Sequence, residues 1–203
     1  AGEERNVFSY NFSISQNGTW KLTNVVRQIV RVWENLSYEH ADKLIHEDKD
    51  FWGLLHKFCQ FSQKKRMENG ALNMARKEFE FDISNPEQVS ILKLNRNSPS
   101  SRIIEELAIA VNRETGRLFH EAEFPGIYRT QSSYKIVKEP EYENQQLLEN
   151  IRIEPASLTT IAGKHAGLGC EVYMHATSPI RRFVDLVTQH QLNNLINDEE
   201  PVY

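Results

Sequence analysis

The dipeptide Asn17-Gly18 constrains this chain more than any other feature. Both residues tolerate positive φ, and they separate two runs that read as strands. Before them Val7, Tyr10, Phe12 and Ile14 are apolar, with Ser9, Asn11, Ser13 and Ser15 between most of them. After them Trp20 to Trp33 is rich in Val and Ile, and its first half at least reads as the returning strand. The chain therefore opens on an antiparallel hairpin that must bury one face. A start so close to a hairpin edge predicts that the natural protein continues upstream.

Helical signals follow. Ser37 suits the cap of a helix beginning near Tyr38, with Glu39 in its first turn. A second helix is expected from about Asp50 to Asn69, its Phe51, Leu54, Leu55, Phe58 and Phe61 on one face. Glu78 to Ile83 alternates strictly as a half-buried strand. Val89 to Leu94 can pair with it after a turn at Asn85-Pro86. Ser98-Pro99-Ser100 opens a long helix carrying Ile103, Ile104, Leu107, Val111 and Leu118, which Phe124-Pro125-Gly126 ends. Ile127 to Arg129 reads as a short buried strand, and residues 138 to 157 as a charged, polar helical insertion or linker of low information. After Gly167-Leu168-Gly169 a strand is expected over Glu171 to His175. Thr177-Ser178-Pro179 then opens a last helix through Ile196. The expected fold class is α/β (α+β): one domain over 1–203, with a mixed, largely antiparallel sheet and long helices packed on it.

Composition excludes several classes. Of 203 residues 39% are hydrophobic and 26% charged, as in a globular domain rather than a disordered tail. No apolar run reaches the ~18 residues of a membrane-spanning helix, and the polar, acidic start is not a secretory signal. Cys59 and Cys170 are isolated, so neither a zinc ribbon nor a disulfide framework is expected, and the default location is a reducing cytoplasm. The net charge of −4 argues against non-specific coating of nucleic acid but leaves room for a local basic channel. The seven histidines form no metal motif, and no P-loop, Gly-x-Gly-x-x-Gly or Gly-x-Ser-x-Gly occurs. Glu47-Asp48-Lys49-Asp50 is the nearest approach to a carboxylate cluster and reads as a solvated loop.

Chemistry concentrates in Tyr173-Met174-His175-Ala176-Thr177-Ser178-Pro179-Ile180-Arg181-Arg182-Phe183-Val184-Asp185. Ser178 as N-cap and Pro179 in the first helical position would leave backbone N–H groups and the positive end of the dipole free for an anion. Arg181 and Arg182 add planar forks that fit phosphate oxygens. Two arginines at a helix N-terminus are unfavourable without an anion. An ordinary capped helix whose arginines pair with Asp185 fits the same residues. On the long helix Glu106 and Asn112 lie off the apolar stripe and can face a ligand, or simply water. Residues 61 to 77 hold Lys64, Lys65, Arg66, Arg76 and Lys77 against Glu68, either a guide for a polyanion or a solvated helix end. Tyr38, Phe79, Phe81 and Tyr128 are candidates for stacking on bases, or for the core.

Three blocks, taken together, resemble the catalytic RNB domain of the ribonuclease II / ribonuclease R family of 3′→5′ exoribonucleases. Leu36-Ser37-Tyr38-Glu39-His40-Ala41 is similar to the family's Leu-Ser-Tyr-(Asp/Glu)-x-(Ala/Val). Arg102 to Asn112 is similar to its Ile-Glu-Glu-x-Met-x-x-Ala-Asn helix, with Ala108 for the usual Met and Val111 for the usual Ala. His165-Ala166-Gly167-Leu168-Gly169 through Asp185 is similar to its Gly-Leu-Gly…Ala-Thr-Ser-Pro-Ile-Arg-(Arg/Lys)-(Tyr/Phe)-x-Asp signature. The resemblance runs from about residue 7 to 196.

It implies hydrolytic removal of nucleotides from the 3′ end of single-stranded RNA as 5′-monophosphates. Arg181 would contact the scissile phosphate, and Arg182, Ser178, Thr177 and Tyr173 would neighbour it. Tyr38 and Glu106 would select ribose, and Phe81 would stack on terminal bases. It also implies Mg²⁺ held by an Asp-x-x-x-x-x-Asp-x-Asp-Asp motif, which does not occur here; the family's OB-type RNA-binding modules do not occur either. The expectation is a segment of a longer enzyme, itself inactive, with RNA as its partner and no membrane. A degenerate relative that binds RNA without cutting it is the alternative.

Overall fold

A computed structural model of the protein describes residues 1–15, 19–72, 78–83, 89–94, 98–132, 134–136 and 151–203. The expected turns at Asn17-Gly18 and Asn85-Pro86 lie outside the described residues. So do Arg76 and Lys77 of the basic run and the expected linker up to residue 150.

Strands β1 (Glu4–Ile14) and β2 (Trp20–Arg31) form the opening hairpin, in register from Ile14↔Trp20 to Glu4↔Arg31 with a bulge at Asn11/Phe12. The returning strand keeps its ladder to Arg31, well beyond the first half of the Val/Ile run. Helix α1 (Tyr38–Glu47) starts where expected, its Ser37 hydroxyl accepting from the His40 N–H at 3.1 Å. Helix α2 (Trp52–Glu68) buries Cys59, Ser62 and Arg66. Phe51, Leu54 and Phe61, expected on its inner face, are exposed. The inward stripe is instead Leu55, Cys59, Ser62 and Arg66, at helical spacing, with Arg66 tolerated inside because it pairs with Glu106.

Strands β3 (Glu78–Asp82) and β4 (Ser90–Leu94) pair as expected, Phe81 opposite Ile91. Helix α3 (Pro99–Glu121) is capped by the Ser98 hydroxyl, which accepts from the Ser101 N–H at 3.2 Å. It is the axis of the molecule: Phe119 joins Tyr128, Met174 and Leu192 in one core cluster, and Ile103 joins Ile45 and Cys59 in another. Strands β5 (Tyr128–Thr130), β6 (Tyr134–Ile136), β7 (Ile151–Ile153) and β8 (Ser157–Thr159) are short, and β7, paired with β6, stands where a helical insertion was expected. Helix α4 (Phe183–Ile196) closes the chain.

The class is α/β with antiparallel pairing, as expected, but the described strands form four separate two-stranded ladders rather than one sheet. Two local expectations are corrected. Glu171 to His175 is not a strand: its backbone meets β5 at the isolated Tyr128↔Met174 bridge and through the Arg129 N–H, which donates to the Tyr173 carbonyl at 2.9 Å. The last helix begins at Phe183, not at Pro179, because residues 178–182 fold into a turn of their own.

Candidate functional site

That turn is built by one carboxylate. The Ser178 carbonyl accepts from the N–H groups of Arg181 and Arg182 at 3.2 and 3.0 Å, closing the loop. Asp185, in the first turn of α4 and 0% exposed, accepts at Oδ1 from the Ser178 N–H and from Arg182 Nη2, both at 2.7 Å. Ser178 is therefore not the N-cap of α4. The residue in that position is Arg182, which makes no side-chain cap. Three backbone N–H groups expected to be free for an anion are already bonded within the turn.

The two arginines divide accordingly. Arg182 is half-buried and clamped to Asp185. Arg181 is exposed, and among the described residues no carboxylate pairs with it; its Nη2 lies 3.2 Å from the Ser178 hydroxyl. Ile180 and Phe183 beside it are exposed apolar side chains. The turn thus presents one planar, permanently charged fork, one hydroxyl and apolar flanks to solvent. These groups bind phosphate oxygens and the flat faces of bases.

Behind the turn stands a polar scaffold on α3. Asn112, buried, accepts at Oδ1 from the Ala176 N–H at 2.8 Å and donates from Nδ2 to the Tyr173 hydroxyl at 2.9 Å; the Thr177 hydroxyl lies at 3.5 Å. Gly116, one turn on, lets the backbone of Tyr173 and Met174 approach: a Cβ there would sit 3.2 Å from the Tyr173 nitrogen. Tyr173 is buried, and burial raises its phenol pKa although the Asn112 bond lowers it. Its ring meets His165 and His175 edge-on. Burial, then Arg182 and Arg129, push His175 down to about 4; burial, then Arg129, do the same to His165. Both rings are neutral at pH 7, so the cluster's positive charge is that of its arginines.

The structure thus joins Tyr173, Thr177, Ser178, Arg181 and Arg182 in one bonded unit. Glu106 is elsewhere on α3: it is 0% exposed and paired with Arg66, whose Nη1 also reaches the Leu168 carbonyl at 3.0 Å. Burial lowers the Arg66 pKa, but the bond to Glu106 and its charge outweigh that and raise it. Neither a solvated Glu106 nor a solvated Arg66 describes this pair. Tyr38 is half-exposed at the start of α1, beside Ser100, which bonds its carbonyl. Phe81 is 64% exposed on the β3–β4 hairpin. Among the described residues no hydrogen bond or ring contact links Tyr38 or Phe81 to the 177–182 turn. Sequence reasoning missed Arg129, His175 and the inward role of Arg66. The signal for Asp185 was present in its i+3 spacing from Arg182.

A cleft of about 920 Å³ runs between β1, α3, the turn and α4, with Phe8, Tyr10, Leu107, Val111, Pro179 and Leu186 on its walls. Thr177 and Pro179 thus share one cavity with Leu107 and Val111 of α3, while Arg181, Arg182 and Glu106 do not line it. Among the described residues no three His, Cys, Asp or Glu side chains converge as metal ligands, and Asp48 accepts instead from the N–H groups of Asp50 and Phe51. The described residues therefore do not fit Mg²⁺. Among them, no helix is long and apolar enough to cross a membrane.

Comparison with known proteins matches this architecture. An uncharacterized ribonuclease of Synechocystis is 24% identical over 213 residues, covering 98% of this chain and 31% of its own length. Ribonuclease R of Aquifex aeolicus is 23% identical over 246 residues, covering 99% of this chain and 35% of its own length. Among solved structures, Mycoplasma genitalium RNase R in complex with double-stranded RNA superposes with a TM-score of 0.80 at 17% identity, over 95% of this chain and 42% of that one. Yeast Ssd1, a pseudonuclease, superposes with a TM-score of 0.67 at 14% identity, over 97% and 30%. The chain spans about a third of the length of the curated relatives it matches. The RNB domain description matches residues 1–198, so nearly the whole chain belongs to the RNB domain family.

Proposed function

We propose that this chain is the phosphate-holding part of a 3′→5′ exoribonuclease that hydrolyses single-stranded RNA to nucleoside 5′-monophosphates. The observation that carries the reading is the division of labour at the turn: Asp185 fixes Arg182, and Arg181 is left exposed with no carboxylate partner among the described residues. A guanidinium held this way suits a phosphodiester and stabilises negative charge that develops on it. Thr177 and Ser178 supply hydroxyls at the same place. Tyr173, Arg182 and buried Asn112 act through the turn by holding it in shape. Glu106 braces α3 against α2 through Arg66. Tyr38 and Phe81 offer exposed aromatic faces for bases or sugars.

The family's Mg²⁺ chemistry is assigned to no described residue, because none forms the carboxylate cluster it needs. That same finding, with a pseudonuclease among the structural neighbours, favours a second reading: an RNB domain that binds RNA without cutting it.

Both readings require RNA at Arg181. Fluorescence anisotropy of a short labelled oligoadenylate, across a salt series, tests this on the chain and its Arg181→Gln variant. The expected result is binding that weakens with salt, and weakens further in the variant with a slope smaller by about 0.7. Equal binding by the two proteins contradicts the reading.

A further inference from the structure

Arg129 is the half-buried cation the turn does not use. It lies on β5 opposite Leu158 of β8, which is exposed, so this face of the ladder opens to solvent. Its N–H donates to the Tyr173 carbonyl at 2.9 Å, splicing β5 to the segment that runs into the 177–182 turn. Its Nη1 lies 3.5 Å from His175 Nε2.

Apart from the exposed Arg181, the other arginines around this part of the fold have acids. Arg66 has Glu106, Arg113 and Arg117 share Glu114, and Arg182 has Asp185. Among the described residues Arg129 has none, and its one side-chain hydrogen-bonding partner is the His175 ring. That ring is neutral at pH 7 and cannot balance a charge. Among the described residues the carboxylate acting on His175 is Asp185, whose Oδ1 accepts from Ser178 and Arg182 and whose Oδ2 is buried without a partner, so it does not reach Arg129. A guanidinium taken partly out of water without a counter-ion is unfavourable, and an anionic ligand relieves it. The apolar Leu158 beside it suits the body of a base or sugar better than a free inorganic ion.

We propose that Arg129 is a second phosphate-binding side chain, which continues the track of an RNA backbone from the Arg181 turn across the β5–β8 ladder. This rests on the RNA reading above and extends it by one contact. The site takes a phosphodiester through charge and a planar fork, without reading sequence.

The test pairs binding with a local readout. In the salt series with labelled oligoadenylate, Arg129→Gln is expected to weaken binding several-fold and to reduce the slope by about 0.7, as one neutralised phosphate requires. Arg129→Lys keeps the charge and is expected to keep the slope. The Arg129/Arg181 double Gln variant is expected to lose about the sum of the two slopes. In the unaltered chain the Nε–Hε resonance of Arg129 is expected to shift on adding the RNA, a result that needs no variant to fold. If Arg129→Gln binds like the unaltered chain while Arg181→Gln is weakened, and the resonance stays put, this inference is wrong and the RNA reading stands. If the unaltered chain binds no oligoadenylate at low salt, both fall.

Discussion

Asp185 Oδ1 accepts two hydrogen bonds at 2.7 Å, one from the backbone of Ser178 and one from the guanidinium of Arg182. One buried oxygen thereby sets both ends of a five-residue turn. It removes Arg182 from the set of free cations and leaves Arg181 to face solvent. Asp185 is a positioning residue: it shapes what Arg181 can touch and need not touch a ligand itself.

Asp185→Ala is expected to cost about 2–4 kcal/mol, because it strands a half-buried guanidinium and a backbone donor. Urea unfolding measures this. The same variant is expected to abolish the Arg181 contribution to RNA binding. Adding Arg181→Gln to Asp185→Ala should then change affinity little, although Arg181→Gln alone weakens it. On its own, Arg181→Gln should leave stability within about 0.5 kcal/mol, as for other exposed substitutions.

The Arg66–Glu106 pair predicts an asymmetry. Glu106→Ala is expected to cost about 3–5 kcal/mol by leaving Arg66 buried and unpaired, whereas an Arg66→Met/Glu106→Leu double variant is expected to recover most of that loss. Chemical denaturation of the single and double variants distinguishes this from a solvated pair, for which both changes would be small.

Gly169 sits in the same joint with φ +63°, and a Cβ there would lie 2.4 Å from the Arg66 carbonyl oxygen. Gly169→Ala is expected to cost more than the roughly 1–2 kcal/mol of a left-handed residue alone, because the backbone of Arg66 must also shift. A thermal shift smaller than that of a surface Gly→Ala control would contradict the packing described.

His165 and His175 titrate near 4 in the fold, against about 6.5 in an unfolded chain. Between those values the unfolded chain binds protons that the fold refuses. Stability therefore falls as the pH drops through that window, by on the order of 1–2 kcal/mol per histidine at pH 5. Urea unfolding at pH 7 and pH 5, with ring resonances followed by NMR, checks the sign. Equal stability at both pH values, with rings titrating near 6.5, would contradict it.

With no converging carboxylates among its described residues, the purified chain is expected to leave single-stranded RNA intact in the presence of Mg²⁺. Magnesium-dependent release of mononucleotides would show ligands that the described residues do not supply.

Local chemistry made much of this molecule readable from its sequence. Ser37 and Ser98 cap helices because a hydroxyl one residue upstream bonds a free N–H, a rule that needs no tertiary knowledge. The same rule failed at Ser178: its hydroxyl accepts from the Arg181 side chain rather than from a helix N–H, its own N–H goes to Asp185 seven positions on, and the helix starts only at Phe183. The polarity of Arg66 and Glu106 reads as surface in any window; only the α2–α3 contact makes them interior partners. The division of the described strands into separate ladders was not legible, because pairing partners such as β5 and β8 lie far apart in sequence and their three-residue runs carry almost no periodicity. The 177–182 segment stood out in sequence because two arginines beside Ser-Pro suit either a phosphate or a pairing with Asp185, and Arg182 takes the second. Which arginine serves the ligand and which serves the fold was not legible.

The central claim is that RNA phosphate meets the protein at Arg181, in the turn Asp185 holds. Heteronuclear NMR of the unaltered chain, titrated with short oligoadenylate at low salt, tests it most directly. The account predicts that the amide resonances of Thr177 to Arg182 and the Arg181 side chain move first and furthest. RNA-induced shifts confined to other surfaces, with the turn and Arg181 unmoved, would contradict it.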